Sequence, residues 1–238
     1  MTDVDWIKAG IDLALTIIGG VIVAVTVYFL DERRVKRERR LSDVRIASNW
    51  ETSNPKVSLR DFDLRDSNLS GFDFSAGNFE RAKFQKAYLR VTIFKDANLI
   101  FTDFRSAEIA ATDFTNAIVF YSNFSKAVIR SRSDESKKEY PTFTNAHFRG
   151  VNFRNAKISD AKFHGTILKD ADFSGAIVRN CDFTKSDLTN SKWNKVKRVE
   201  NCIWKGVKIG DTNTFPNWLL EEIQVQNIKQ KKKKQNGR

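Results

Sequence analysis

The chain of 238 residues is poor in the residues that build most small-molecule sites. It has two cysteines, Cys181 and Cys202, which give no disulfide framework and too few ligands for a zinc site. Cys181 occupies a small, inward position and reads as core, while Cys202 follows 21 residues later, near enough in a coiled chain for a redox pair to stand as a minor alternative. Two histidines, His147 and His164, flank large apolar residues at different places in the chain, with no metal-ligand or triad context. No glycine-rich phosphate loop is present, since the Gly19-Gly20 pair falls in an apolar run. These absences argue against an enzyme and imply no cofactor.

What the chain has is a period of five. From Leu64 to Ile129, every fifth residue is large and apolar, and the series resumes from Phe143 to Trp193, giving 25 repeats. Two residues before each centre the side chain is small, as at Ala82, Ala97, Thr102, Ala107 and Cys181, with Phe62, Phe72 and Pro141 as exceptions. Such a period fits neither a helix nor a flat strand. It fits a coil that turns a corner every five residues, four repeats to a square turn, with the centre and the small residue pointing inward. Alternate centres differ: one set holds eleven Phe, one Leu and one Trp, the other ten aliphatics with Phe79 and Phe148. Like therefore stacks on like along opposite faces, and Phe104 is expected between Phe84 and Phe124.

The motif, seen in Ala97-Asn98-Leu99 and Ala171-Asp172-Phe173, resembles the pentapeptide-repeat family over a little more than half the chain. The resemblance implies an all-β repeat solenoid, a right-handed quadrilateral β-helix, and with strands ~4.8 Å apart, about six coils would extend on the order of 30 Å. Surface aspartates such as Asp103, Asp113, Asp172 and Asp182 precede the centres and read as rod surface, not as catalytic pairs.

The flanks suggest four regions. Residues 1–30 contain an apolar run, Leu13–Leu30, free of charge and extendable to Ala9 with Asp12 as its sole charge. At 1.5 Å per residue this is long enough for a single transmembrane helix, and its acidic start disfavours a signal peptide. Residues 31–56 form a basic juxtamembrane helix. There Arg33, Arg34, Lys36, Arg37, Arg39 and Arg40 predict, by the positive-inside rule, an outside N-terminus and a cytoplasmic repeat domain, with these residues at the membrane surface. Leu41, Val44, Ile46 and Trp50 are expected to fold over the first coil. Residues 57–205 form the β-helix. Residues 206–238 form a cap helix, with Trp218, Leu219, Ile223 and Ile228 as its apolar positions, followed by a disordered basic tail through Lys231–Lys234.

An insertion at 130–141 separates centres Ile129 and Phe143. Because the Phe/aliphatic alternation continues across it, it reads as a solvated bulge from one corner. Arg130, Arg132, Asp134, Glu135, Lys137, Lys138, Glu139 and Tyr140 make it a candidate partner loop.

Net charge is +12, of which residues 57–205 hold 25 basic and 18 acidic side chains. The expected function is a non-enzymatic, membrane-tethered scaffold that offers a rigid rod to an unidentified protein partner. The resemblance adds a homodimer through a terminal cap, and a competing reading as a DNA mimic that protects type II topoisomerases. Such mimics depend on an acidic surface, which this basic chain lacks. A third reading is direct nucleic-acid binding through the basic C-terminal half, disfavoured because no base-stacking aromatics are expected on the surface.

Overall fold

A computed structural model describes residues 3–50, 58–133, 138–210 and 214–236, with side-chain surroundings for 21–50, 58–133, 138–210 and 214–228. The chain divides into two compact units, Met1–Ser42 and Asp43–Arg238.

Helix α1 (Asp3–Ser48) supplies the whole of the first unit's secondary structure. Past residue 20 it has neither glycine nor proline, and i,i+4 ion pairs support it: Lys36 to Glu32 at 2.6 Å and Arg34 to Glu38 at 2.9 Å. Here the expectation of a single-pass membrane protein is corrected. Among the described residues no helix is long and apolar enough to cross a membrane. The apolar run whose side chains are described, Val21 to Leu30, covers about 15 Å, roughly half of the ~30 Å hydrocarbon layer. The rest of the anticipated span, residues 9–20, lies outside the residues with described side chains. The membrane topology falls with it.

In the second unit the backbone winds as a square coil with twenty residues per turn. Its best-formed face is a parallel sheet of β1 (Tyr88–Arg90), β2 (Glu108–Ala110), β3 (Val128–Arg130), β6 (Lys157–Ser159), β7 (Ile177–Arg179) and β8 (Arg198–Glu200). Leu89 pairs with Ile109 and Ile109 with Ile129. The other faces are joined by single bridges in the same register, such as Asp63 to Lys83, Asp73 to Ile93 and Asn78 to Asn98.

The core is the inward ladder of centres and small residues. Phe104 lies between Phe84 and Phe124, with ring centroids at 5.0 and 4.6 Å. A second aromatic column runs from Phe94 through Phe114, Phe143, Phe163 and Phe183 to Trp204. Rings of neighbouring columns meet edge to face, as Phe94 and Phe104 do at 81°. Phe79 brings a ring into an aliphatic column and needs glycine two residues earlier: a Cβ on Gly77 would sit 2.5 Å from Phe79 Cε2. Buried hydroxyls at the small positions donate to carbonyls of the coil below. Thr92 Oγ1 reaches the Leu69 carbonyl at 2.8 Å, and Thr166 Oγ1 that of Phe143 at 2.6 Å.

Two local devices turn the corners. The residue two after a centre is left-handed almost throughout, as at Asp61, Lys86, Asp96 and Asn116, with φ between +59° and +61°. The Asp or Asn before the centre accepts the N–H of the residue after it, as Asp73 does from Ser75 at 2.9 Å and Asp182 from Thr184 at 2.8 Å. This accounts for the aspartates of the motif: they fasten corners.

Polar side chains close both ends of the coil. At the start, the Asp43 carboxylate accepts the Asp63 N–H at 2.9 Å. Val44, Ala47 and Trp50 pack on the core, whereas Leu41 and Ile46 are exposed. Only one side of a helix can face the coil, and spacings of three put 44, 47 and 50 on it. At the other end the coil continues past Trp193 with its count shifted. One residue is inserted, so Val178 pairs with Val199, and Trp204, not the exposed Ile203, is the next buried centre. Helix α2 (Asn217–Asn236) follows, with Leu219 and Ile223 buried and Trp218 and Ile228 exposed. It continues through Lys231–Lys234, so the backbone expected to be a disordered tail is helical there. The Gln226 amide stands in for a missing coil: its oxygen accepts the Trp204 N–H and its nitrogen donates to the Cys202 carbonyl, both at 2.9 Å.

Candidate interaction surface

The insertion is a built hairpin. Strands β4 (Arg132–Ser133) and β5 (Lys138–Glu139) pair antiparallel. Asp134, Glu135 and Lys137 lie outside the described residues. The coil continues past the hairpin, with Ile129 beside Ile158. The hairpin base is pinned to the wall by Asp160, whose carboxylate accepts from Ser131 Oγ at 2.9 Å and Lys138 Nζ at 3.1 Å. Burial pushes the Asp160 carboxyl up, but donors from Ser131, Lys138 and Asn180 together outweigh burial and hold it below its ordinary value. Tyr140 accepts Lys138 and Lys162 over its ring at 5.3 and 4.8 Å. Arg132 faces Glu139 at 3.7 Å, and Arg130 is exposed on the sheet face. Four of the five described candidate residues, Arg132, Lys138, Glu139 and Tyr140, therefore serve the hairpin's own anchoring.

The basic residues of α1 do not gather into a pocket. Arg33, Arg34, Lys36, Arg37 and Arg39 are exposed and Arg40 is half-buried. Among the described residues no group of three or more His, Cys, Asp or Glu could hold a metal. Cys181 and Cys202 are neighbours in adjacent coils, both buried. Burial, with the Cys202 thiol beside it, pushes the Cys181 thiol well up, which disfavours the reactive thiolate.

Sequence reasoning missed an exposed aromatic patch, and the expectation that no aromatics remain on the surface is corrected. The face opposite the sheet is centred on Phe79, Leu99, Val119, Phe148 and Leu168. Over its middle coils it carries Ile100, Phe101, Ile118, Phe120 and Tyr121 on the outside. Phe101 is 56%, Tyr121 52% and Ile118 40% exposed. Phe101 stacks on Tyr121 at 5.6 Å, and Phe120 on the exposed His147 at 6.1 Å. The next coil lets the stack lie flat, because a Cβ on Gly150 would meet the Tyr121 ring at 2.6 Å. Phe101 and Tyr121 both occupy left-handed corners, with φ of 56° and 57°. A bulky residue is disfavoured there, and an exposed ring gains little for folding in return.

The charges flanking the patch are neutralised within the coil. Arg81 pairs with Asp61 at 2.7 Å, Arg149 with Asp170 at 3.1 Å, and Lys169 with Asp187 at 3.6 Å. The patch is therefore an apolar strip between self-paired charges, on backbone held by continuous ladders above and below.

Family models of the five-residue repeat agree with this architecture. Residues 58–96 and 83–119 match the family model described as pentapeptide repeats (8 copies), and residues 143–187 match pentapeptide repeats (9 copies). No curated protein matches the chain. Among solved structures, a trypsin-treated form of QnrB1, a plasmid-mediated fluoroquinolone resistance protein, is 22% identical over 70% of this chain and 83% of its own, with a TM-score of 0.40. A pentapeptide repeat protein of the Arabidopsis thaliana thylakoid lumen is 26% identical over 49% of this chain and 68% of its own, with a TM-score of 0.24. HetL of the cyanobacterium Nostoc, involved in heterocyst differentiation regulation, is 17% identical over 64% of this chain and 86% of its own, with a TM-score of 0.20. The family matches and the five-residue geometry together support one assignment: the coil is a right-handed β-solenoid of pentapeptide repeats.

Proposed function

We propose that this protein is a non-enzymatic scaffold, whose coil holds a protein partner on the aromatic face opposite the parallel sheet. The observation that carries the reading is the strip of Ile100, Phe101, Ile118, Phe120 and Tyr121. Among the described residues of the coil six large apolar side chains are exposed, and three of them fall within this strip. Contiguous exposed aromatics on an otherwise polar surface mark binding sites, and backbone strain retained under exposed rings points the same way. The neutral rim suits an apolar segment that brings its own aromatic or aliphatic anchor. Pentapeptide-repeat proteins as a group are structural or interaction proteins. The mimicry of DNA gains no support from the surface, whose formal charge over residues 57–205 is positive.

The test is a photo-crosslinking residue placed at Tyr121, or at Ser174 on a polar face, in the native host. A discrete protein adduct from position 121 and little from 174 is expected. Equal adducts from both positions, or none from 121, would count against the aromatic face.

A further inference from the structure

The parallel sheet face carries a second feature, independent of the aromatic strip. Its outward residues hold five basic side chains, Arg90, Arg130, Lys157, Arg179 and Arg198, against two acidic ones, Glu108 and Glu200. Along the column that follows the centres, the residues of successive coils are Ser70, Arg90, Ala110, Arg130, Ser159 and Arg179. Arginine alternates with a small side chain, so each small residue leaves a gap between two arginines. A cavity of about 430 Å³ lies between Arg90 and Arg130 over Ala110, bordered also by Tyr88 and Glu108. A second, of about 340 Å³, lies between Arg130 and Arg179 over Ser159, beside Val128 and Lys157. Arg130 belongs to both. Arg179 is engaged by Glu200 at 2.7 Å. Among the described residues, neither Arg90 nor Arg130 has an ion-pair partner.

We infer that this face binds an acidic peptide in polyproline II conformation, with a carboxylate at every third residue. A carboxylate suits a gap between two guanidinium forks, each able to donate two parallel hydrogen bonds. The gaps recur every second coil, about 9.6 Å at ~4.8 Å per strand. A polyproline II helix rises ~3.1 Å per residue and repeats every three, so like side chains return to one side every ~9.3 Å. A flat extended strand fits less well: its same-side residues recur at ~6.7 or ~13 Å. Tyr88, 50% exposed at the edge of the first cavity, gives a proline ring an aromatic surface, as other polyproline II grooves do. Val128 and Ile177 make the second cavity partly apolar, which suits the residues between carboxylates better than a nucleotide backbone.

The experiment uses the full chain and a fluorescent peptide of repeated Glu-Pro-Pro triplets, read by anisotropy at physiological salt. Two competitors share its charge: a peptide of the same composition with all glutamates bunched, and a single-stranded DNA oligonucleotide. Binding at least tenfold tighter than the bunched peptide is expected. Arg130→Gln removes a solvent-exposed side chain without an ion-pair partner, so the fold should persist. It should weaken binding at least tenfold, and more than Arg90→Gln or Arg179→Gln, each of which borders one cavity. Arg154→Gln, on a neighbouring face, should change nothing. Equal binding of the bunched peptide would overturn the spacing argument, as an unaffected Arg130→Gln would overturn the site. Tighter, Arg130-dependent binding of the oligonucleotide would make the face a nucleic-acid surface instead.

Discussion

Single residues divide by direction. Centres such as Phe104 fill a narrow interior with rings at van der Waals distance on both sides, and the small positions exist because a second large side chain has no room there. Phe104→Ala should therefore cost about 3–5 kcal/mol, and Ala107→Phe at least as much. Urea denaturation of the two variants checks this, and a loss under about 1 kcal/mol for both would mean that these side chains do not face the interior. Outward residues are released from packing but not from conformation. The left-handed corner explains why Asp, Asn and Gly recur two residues after the centres. It also singles out Val91, Phe101 and Tyr121 as corners kept against their backbone preference.

Among the elements, the end helix and the hairpin have separable roles. Gln226 supplies the Trp204 N–H and the Cys202 carbonyl with the partners that a further coil would have given. Gln226→Ala leaves both unpaired at the end of the ladder and should cost about 1–3 kcal/mol, with amide exchange rising first in the last coil. Unchanged stability would mean that water serves as well as the amide. The hairpin is held by Asp160, whose carboxyl is lower in the folded protein than when free. A depressed carboxyl contributes its stabilisation fully above the unfolded value of about 3.9, and the contribution is lost as pH falls through the lower folded value. Protection factors at Arg132 and Glu139, taken against the intrinsic exchange rate at each pH, should be flat between neutral pH and about 5 and should fall below about 4, while the core amides stay protected. Asp160→Asn should remove that acid step. An identical profile in the variant would assign it to another group.

For the molecule as a whole, the coil was legible because a corner every five residues imposes one inward centre per repeat, and Phe94 or Ile109 has no other way to be buried. Its last coil was not, since the single extra residue between Trp193 and Val199 shifts the count and makes Ile203 look like a centre. The cap helix could be found by its apolar residues. Which of them face the core depends on where Gln226 meets the chain end, and that is set by tertiary contact. The aromatic face was hidden for a different reason: Phe101 and Tyr121 are neighbours only when the sequence is read in steps of twenty, the length of a full turn. Reading it in fives finds the core, and reading it in twenties finds the surface.

That surface is the centre of the proposed function. The most direct measurement is the affinity of the purified partner, identified by crosslinking at position 121, for the full chain and for the double variant Phe101→Ser/Tyr121→Ser. Both side chains are exposed, so the variant should unfold at an unchanged temperature. Binding should weaken by at least about a hundredfold, the loss of two buried aromatic anchors. An unchanged affinity in a folded variant would contradict the aromatic face as the docking site.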